Sequence, residues 1–246
     1  MIKQILAFFA GTKATAPEAQ VASNPQSDAL MRAIAEQSKS DPLIGAKIGS
    51  KELFQILIRG LKTDKGVHVE SLVVALGALA GYSCQASVRA LAKSKNIAET
   101  SVFTIIGTKD GQKYFYGDAL NKPLSEDKYS VLSLAGGGAK AAGCNSFLDV
   151  NEVFIHVTQT VGKAEFGLVR YGKSFKASDT PLGFVKGLWP VLLPTIQKFC
   201  PNPEHWPILV AITIQDTIIW AKEVIDPGEA LRLTMEAAVP MSKVNL

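Results

Sequence analysis

Apolar residues recur three and four positions apart along most of this chain, which is the pattern of helices with one buried face. Seven or eight helices are expected on this basis. The clearest start signal lies at 226–229, where aspartate, proline and glutamate follow the order typical of a first helical turn. The predicted helices cover 28–38, 51–61, 68–93, 124–135, 149–161, 181–199, 208–224 and 226–239.

Several helix boundaries in this prediction depend on particular residues. Ser125 is expected to cap the fourth helix, and the glycines at 136–138 are expected to end it. Pro190 and Pro194 remove backbone donors, so the sixth helix is expected to bend. The last helix should end before Pro240 because proline restricts the residue that precedes it.

One region changes from helical spacing to β-rich runs. Two such runs flank Asp110 and Gly111, and an Asp-Gly pair between them predicts a hairpin over about 101–117 with a tight type I′ turn. A lone hairpin is marginal in water, so it needs helices or a third strand, for which 166–171 is the candidate. The expected fold class is therefore α+β and predominantly helical, with helices packed around one hairpin.

The segment at 208–214 leaves two alternatives open. It carries β-branched residues at alternate positions, including Val210, Ile212 and Ile214, which a buried strand would also show. The apolar run continues to Val224, and this length favours a helix.

The chain divides by composition into residues 1–26 and 27–246. The first ten residues are mostly apolar, and those at 11–26 are small, polar and proline-containing. This predicts a short N-terminal helix with a flexible linker, followed by a single globular domain. A membrane tether and a secretory signal are alternatives for residues 1–10, although Pro17 would occupy an unfavourable position after cleavage.

The stretch at 71–88 contains no charged residue and includes a G-x-x-x-G motif at Gly77 and Gly81. It reaches the lower length limit of a membrane-spanning helix. However, it is rich in alanine, serine and glycine and contains Gln85. We therefore expect a closely packed central helix of a soluble protein and no stable membrane span.

The charge distribution and the cysteines indicate which partners and which cellular compartment to expect. The formal net charge is +4, from 26 basic and 22 acidic residues that are scattered along the chain. No nucleic-acid partner is expected, because such domains cluster their basic residues on one face. Cys84, Cys144 and Cys200 form no C-x-x-C pair, which favours a reducing, cytoplasmic location without disulfides or structural zinc.

The segment from Gly167 through Gly172 to Lys173 and Ser174 matches the G-x-x-x-x-G-K-[ST] pattern of phosphate-binding loops. A true phosphate-binding loop connects a strand to a helix. Here the spacer residues are bulky and no helix of useful length is expected after Ser174. A nucleotide site at these residues is therefore kept only as an alternative.

Other candidate motifs have weaker support. Ser125 to Lys128 fits the S-x-x-K motif of penicillin-recognising enzymes, but the S-D-N and K-T-G motifs of that class do not follow. The glycines at 136–138 do not complete the G-x-G-x-x-G motif of dinucleotide-binding folds, because Ala141 occupies the position of the third glycine. His68 and His156 have no metal-binding spacing, so no catalytic, metal or cofactor site is predicted.

Aromatic residues in the C-terminal third suggest a ligand or partner surface at Trp189, His205 and Trp206. The sequence alone does not identify a function. The leading hypothesis is a non-catalytic cytoplasmic interaction or scaffold protein that binds itself or another protein. The alternative is a small-molecule binder or enzyme, with a nucleotide as one candidate ligand, that uses an aromatic pocket in this third.

Overall fold

Eight helices of 11 residues or more make up most of the computed structural model, which describes residues 25–109, 111–172 and 176–246. The predominantly helical α+β fold is confirmed. The long helices are α1 Pro25–Gln37, α2 Ile44–Leu61, α3 Val69–Ser94, α6 Val131–Ala141, α7 Val150–Thr160, α8 Pro181–Phe199, α9 Trp206–Ala221 and α10 Pro227–Met241. Shorter elements are α4 Glu99–Val102, α5 Asp118–Asn121, a π-helical turn Lys122–Glu126 and a 3-10 turn Pro203–His205. Residues 1–10, with their predicted helix and membrane tether, lie outside the described residues.

The predicted hairpin is present as β3 Thr104–Gly107 and β4 Lys113–Tyr116, which pair antiparallel. Its loop is longer than a two-residue turn, because the Thr108 amide donates to the Gln112 carbonyl at 2.9 Å. Asp110 lies outside the described residues. A second hairpin, β1 Lys62–Thr63 with β2 Gly66–Val67, was not predicted, since strands of two residues show no alternation.

The third strand expected at 166–171 is wrong. The chain there ends a turn at 166–167 and is irregular at 168–171, and the C-terminal segment pairs with the hairpin instead. Val244 forms an antiparallel bridge to Tyr114, and the Phe115 amide donates to the Lys243 carbonyl at 2.9 Å. Phe166 still contacts the hairpin through its ring, which lies edge-on to Tyr114 at 4.8 Å.

The boundaries of α6 differ from the prediction at both ends. Ser130 caps the helix by accepting from the Ser133 amide at 3.2 Å. Ser125 instead lies inside the preceding π-helical turn, and its hydroxyl donates to the Asn121 carbonyl at 3.2 Å. The glycines at 136–138 lie inside the helix, which continues to Ala141. Gly138 has no side chain, so α6 can pack closely against the backbone of Gln215 in α9. This packing offsets the low helix propensity of glycine.

Other boundaries follow the predicted capping chemistry with local shifts. The Asp226 carboxylate accepts from the Glu229 amide at 2.9 Å, as expected for the start of α10. The same helix passes through Pro240 because later amides, such as that of Ser242, still donate to carbonyls one turn back. Helix α2 begins at Ile44 and not at the predicted Lys51. The Asp41 carboxylate accepts from the Leu43 amide at 3.1 Å and so orders the chain directly before the helix. The strand alternative for 208–214 is wrong, because α9 is helical throughout.

Helix α3 is the centre of the core and contacts α8, α9 and α10. Gly77 and Gly81 face α10, and a Cβ atom at either position would overlap the carbonyl oxygen of Thr234 or Ala238. In the described part of the chain, α3 is the one helix long and apolar enough to cross a membrane, and 83% of its most apolar 18-residue window is buried inside the protein. It is therefore the closely packed central helix that the sequence predicts.

Lys243 lies in the C-terminal segment and is only 2% exposed. Its Nζ atom stands 4.6 Å from the ring centroid of Tyr116 and 5.8 Å from that of Phe154, so aromatic faces partly replace its hydration. Burial lowers the pKa of Lys243 to about 8. The folded state therefore binds this proton more weakly than the unfolded chain does.

We expect Lys243→Met to raise the free energy of unfolding at pH 7 by about 2–3 kcal/mol, because the charged ammonium is costly to bury. The free energy of unfolding of the wild-type protein should rise by a similar amount between pH 8 and pH 10.5, because in this range Lys243 keeps its proton in the unfolded chain and has lost it in the folded state. Urea unfolding of both proteins at pH 7 and pH 10.5 isolates this effect from other titrating groups. An equal difference between the two proteins at both pH values would contradict the assignment.

Candidate functional site

The segment that resembles a phosphate-binding loop lies between α7 and α8. Gly167 has a φ of +74° and packs against Met241 of α10. Gly172 is exposed and has open space around it. Lys173 and Ser174 lie outside the described residues, so the nucleotide hypothesis at these two side chains stays a prediction.

Inside this segment, the backbone is held by a carboxylate of α10. Glu236 is 4% exposed and accepts from the Arg170 amide at 2.6 Å and from the Arg170 Nε at 3.1 Å. Arg232 Nη1 donates to the same carboxylate at 2.6 Å and to the Arg170 carbonyl at 2.7 Å. A backbone amide that would face a phosphate in a true phosphate-binding loop is therefore already bound to Glu236.

The outer side of Arg170 forms a paired contact with Glu152 of α7 through both terminal nitrogens. This hydrogen bonding holds the pKa of the Glu152 carboxyl below its usual range and raises the pKa of Arg170. Glu229 similarly raises the pKa of Arg232. These groups act as a charged clamp, named here the Glu236 clamp, that joins α7 and α10 to the segment before α8.

Trp189 and Trp206, which the sequence suggests as surface residues, are 8% and 6% exposed. Their rings meet edge to face at 6.3 Å, and Trp189 makes a second such contact with Tyr82 at 5.2 Å. The Trp206 indole donates to the Cys200 carbonyl at 2.9 Å. Both tryptophans therefore pack inside the core.

His205 is partly exposed, whereas its chain neighbour Trp206 is buried. It lines a groove of about 480 Å³ where α1, the start of α2 and the end of α8 meet. Phe199 and Pro201 lie in the same groove, so it includes residues of the C-terminal third, but neither Trp189 nor Trp206 lines it.

Helix α9 presents an apolar strip to solvent. It contacts α2, α3 and α6, and its fourth side faces outward. That side carries partly buried Ile208 and Ile212 and the more exposed Ile219 and Trp220, at 36% and 51%. The partly buried Gln215 and Asp216 lie on the same side, and the Asp216 carboxylate accepts from Lys51 of α2. The Trp220 ring also meets the Phe54 ring of α2 edge-on at 5.6 Å. We call Ile208, Ile212, Ile219 and Trp220 the α9 strip.

Helix α6 continues this apolar surface beside the α9 strip. The two helices run in the same direction, since Tyr129 shares a groove with Ile208 while Gly138 contacts Gln215. A rotation of 100° per residue places Leu134 and Gly137 on the side of α6 next to the α9 strip. Gly137 is exposed, and a Cβ atom there would meet nothing within 4 Å.

The ends of this surface carry opposite net charge. Asp127, Lys128 and Glu204 surround its beginning near Ile208, with two acids and one base. Lys140, Lys222 and Glu223 are exposed near its far end, with two bases and one acid. We call the α9 strip with Leu134 and Gly137 the α9–α6 face.

The described ranges contain no cluster of metal-binding side chains. No group of three His, Cys, Asp or Glu side chains there is placed to hold a metal ion. His68 acts as the cap of α3, because its Nδ1 accepts from the Ser71 amide at 3.3 Å. The His156 carbonyl accepts from the Thr160 hydroxyl at 2.9 Å within α7.

No protein-family model, curated protein or solved structure matches this chain. Its function therefore has to be inferred from its own surfaces.

We expect Glu236→Gln to lower the free energy of unfolding by about 3–5 kcal/mol, because it leaves two arginines beside a neutral buried amide. Glu152→Gln is the matched control. Its carboxylate is 54% exposed and should contribute less than about 1 kcal/mol. Urea unfolding at neutral pH measures both. Similar losses from the two variants would show that burial of Glu236 does not determine the strength of the clamp.

Proposed function

We propose that this protein is a non-catalytic interaction module that binds a second copy of itself through the α9–α6 face. The observation that carries the proposal is the outward side of α9, where apolar Ile208, Ile212, Ile219 and Trp220 outnumber the polar Gln215 and Asp216. A helix with so few polar residues is normally buried on every side. Here three sides are covered within the chain, and Ile219 and Trp220 remain exposed on the fourth.

The chemistry of the face suits a protein partner. Tryptophan is enriched among the residues that contribute most to binding, and Trp220 is held in place by Phe54. Helix α9 has 16 residues and is about 24 Å long, so with its flanking helices the face covers about 500 Å² per copy. Two copies would bury about 1,000 Å², which reaches the lower limit of a stable interface.

The distribution of charge favours a second copy as the partner. A two-fold axis perpendicular to α9 places the same surface of both copies together with their α9 helices antiparallel. The acidic group around Asp127 and Glu204 then faces the basic group around Lys140 and Lys222 of the other copy, at both ends. The same surface paired in the parallel direction would bring like charges together.

The environment of the cysteines supports a cytoplasmic, reducing setting as part of the proposal. Cys84 and Cys200 are buried as free thiols. Burial raises the pKa of Cys200 to about 12 and raises that of Cys84 as well, so both stay protonated and unreactive. They act as small apolar core residues.

We expect Ile219→Asp to weaken self-association about 100-fold, because a two-fold interface would bury the new carboxylate twice. Ile155→Asp is the matched control, since Ile155 is 56% exposed on α7, away from the α9–α6 face. Sedimentation equilibrium measures the dissociation constant of each variant. A monomeric wild-type protein, or equal weakening by both substitutions, would contradict the proposal.

We expect Gly137→Ala to raise the free energy of unfolding by about 1 kcal/mol, because alanine favours the helix and its Cβ atom meets nothing within the chain. The same methyl group should hold a partner away and weaken association about ten-fold. Gly136→Ala is the matched control, because it also has open space but lies on the side of α6 away from α9.

Gly136→Ala should therefore stabilise the fold without changing association. Gly138→Ala should destabilise the fold, since its Cβ atom would press against the Gln215 backbone. Chemical unfolding and sedimentation equilibrium on the three variants separate the two effects. If Gly137→Ala associates as tightly as Gly136→Ala, α6 is not part of the interface.

A further inference from the structure

The groove beside His205 has the size and lining of a small-molecule site. Its volume of about 480 Å³ lies within the roughly 300–1,000 Å³ range of such sites. Most of its wall is apolar, with Met31 and Ile34 from α1, Pro42 before α2, and Phe199 and Pro201 at the end of α8.

The floor of the groove belongs to the rigid core. Gly45 of α2 lies directly against the Phe199 carbonyl, where a Cβ atom would overlap the oxygen. Ile34 and Phe199 are 8% and 7% exposed and belong to the main apolar cluster. A ligand would therefore rest on residues whose positions are set by packing.

Among the described residues, the ionisable side chains that line the groove are Lys198 and His205, and none of the described acidic residues lines it. The Lys198 Nζ atom donates to the Ser27 hydroxyl of α1 at 2.8 Å and so stands at the boundary of the groove. Two acids lie beside the groove. The Glu204 carboxylate accepts at 3.4 Å from the side-chain amide of Asn202, which lines the groove, and the Asp41 carboxylate accepts from Lys47 at 2.6 Å.

We propose that this groove binds an amphipathic monocarboxylate, with its alkyl chain along the apolar wall and its carboxylate at Lys198 and His205. The apolar wall accounts for the chain, and the ammonium group of Lys198 accounts for an anionic head group. The site is separate from the α9–α6 face, so it adds a ligand to the interaction module without depending on self-association.

Titration calorimetry of the full chain with monomeric octanoate, decanoate and dodecanoate tests the site. Each added methylene that enters the groove should tighten binding about four-fold. Dodecanol and dodecyltrimethylammonium should bind much more weakly than dodecanoate, because neither carries a carboxylate. Absence of dodecanoate binding, or equal binding of dodecanol, would overturn the proposal.

Two matched pairs of variants locate the binding. Ala35 lines the groove and Ala33 is exposed without lining it, so Ala35→Trp should weaken dodecanoate binding at least ten-fold and Ala33→Trp should not. Lys198→Gln should weaken it about five-fold, whereas Lys186→Gln on the same helix should have no effect. Equal affinity within each pair would place the ligand elsewhere.

The α9–α6 face is a second apolar surface on which an alkyl chain could bind. Ile219→Asp should keep the wild-type affinity for dodecanoate, since Ile219 does not line the groove. Loss of dodecanoate binding in this variant would show that the ligand occupies the α9–α6 face and would overturn the proposal. Loss of self-association with dodecanoate binding intact separates the two functions.

Discussion

The backbone contact between α3 and α10 at Gly77 and Gly81 is the constraint on which the rest of this structure depends. Because neither glycine has a side chain, the two helices approach until the carbonyls of Thr234 and Ala238 fill the available space. This contact places α3 at the centre, where other helices surround it. It also positions α10, whose Glu236 then holds the segment before α8.

The same arrangement explains why α9 keeps an exposed apolar side. With α3 occupying the centre, α9 packs mainly against α2, α3 and α6 and makes smaller contacts with α8 and α10. Its outward side carries the strip that includes Ile219 and Trp220. Glycine at position 137 is costly in a helix, and a Cβ atom there would meet none of the described residues within 4 Å, so a partner packed closely against it would explain the glycine.

Much of the fold follows from local chemistry. The caps at Asp149 and Asp226 and the small-residue pattern of α3 predict helices that the structure contains. The pairing of Val244 with Tyr114 was not predictable, because a bridge of one residue leaves no alternating pattern. Ser125 has the same capping chemistry as Ser130, and only the tertiary position of α6 decides between them.

The surfaces were harder to predict than the helices. The three tryptophans have the same chemistry, yet Trp189 and Trp206 are buried while Trp220 is half exposed. Because α9 carries apolar residues on all sides, its periodicity does not indicate which side faces the core. The available signal was the overall composition of α9, in which Gln215 and Asp216 are the strongly polar residues and which is very apolar for an outer helix without a partner. His205 was identified from sequence, but its groove is formed by α1, which is distant along the chain.

The difference in tryptophan exposure also offers the most direct test of the α9–α6 interface in the unmodified protein. Acrylamide quenching of tryptophan fluorescence should report mainly on Trp220, because Trp189 and Trp206 are shielded in the core. If copies associate through this face, the quenchable fraction should fall as the protein concentration rises through the range of self-association. A quenchable fraction that stays constant while the protein associates would show that Trp220 remains in solvent, and would contradict the proposed interface.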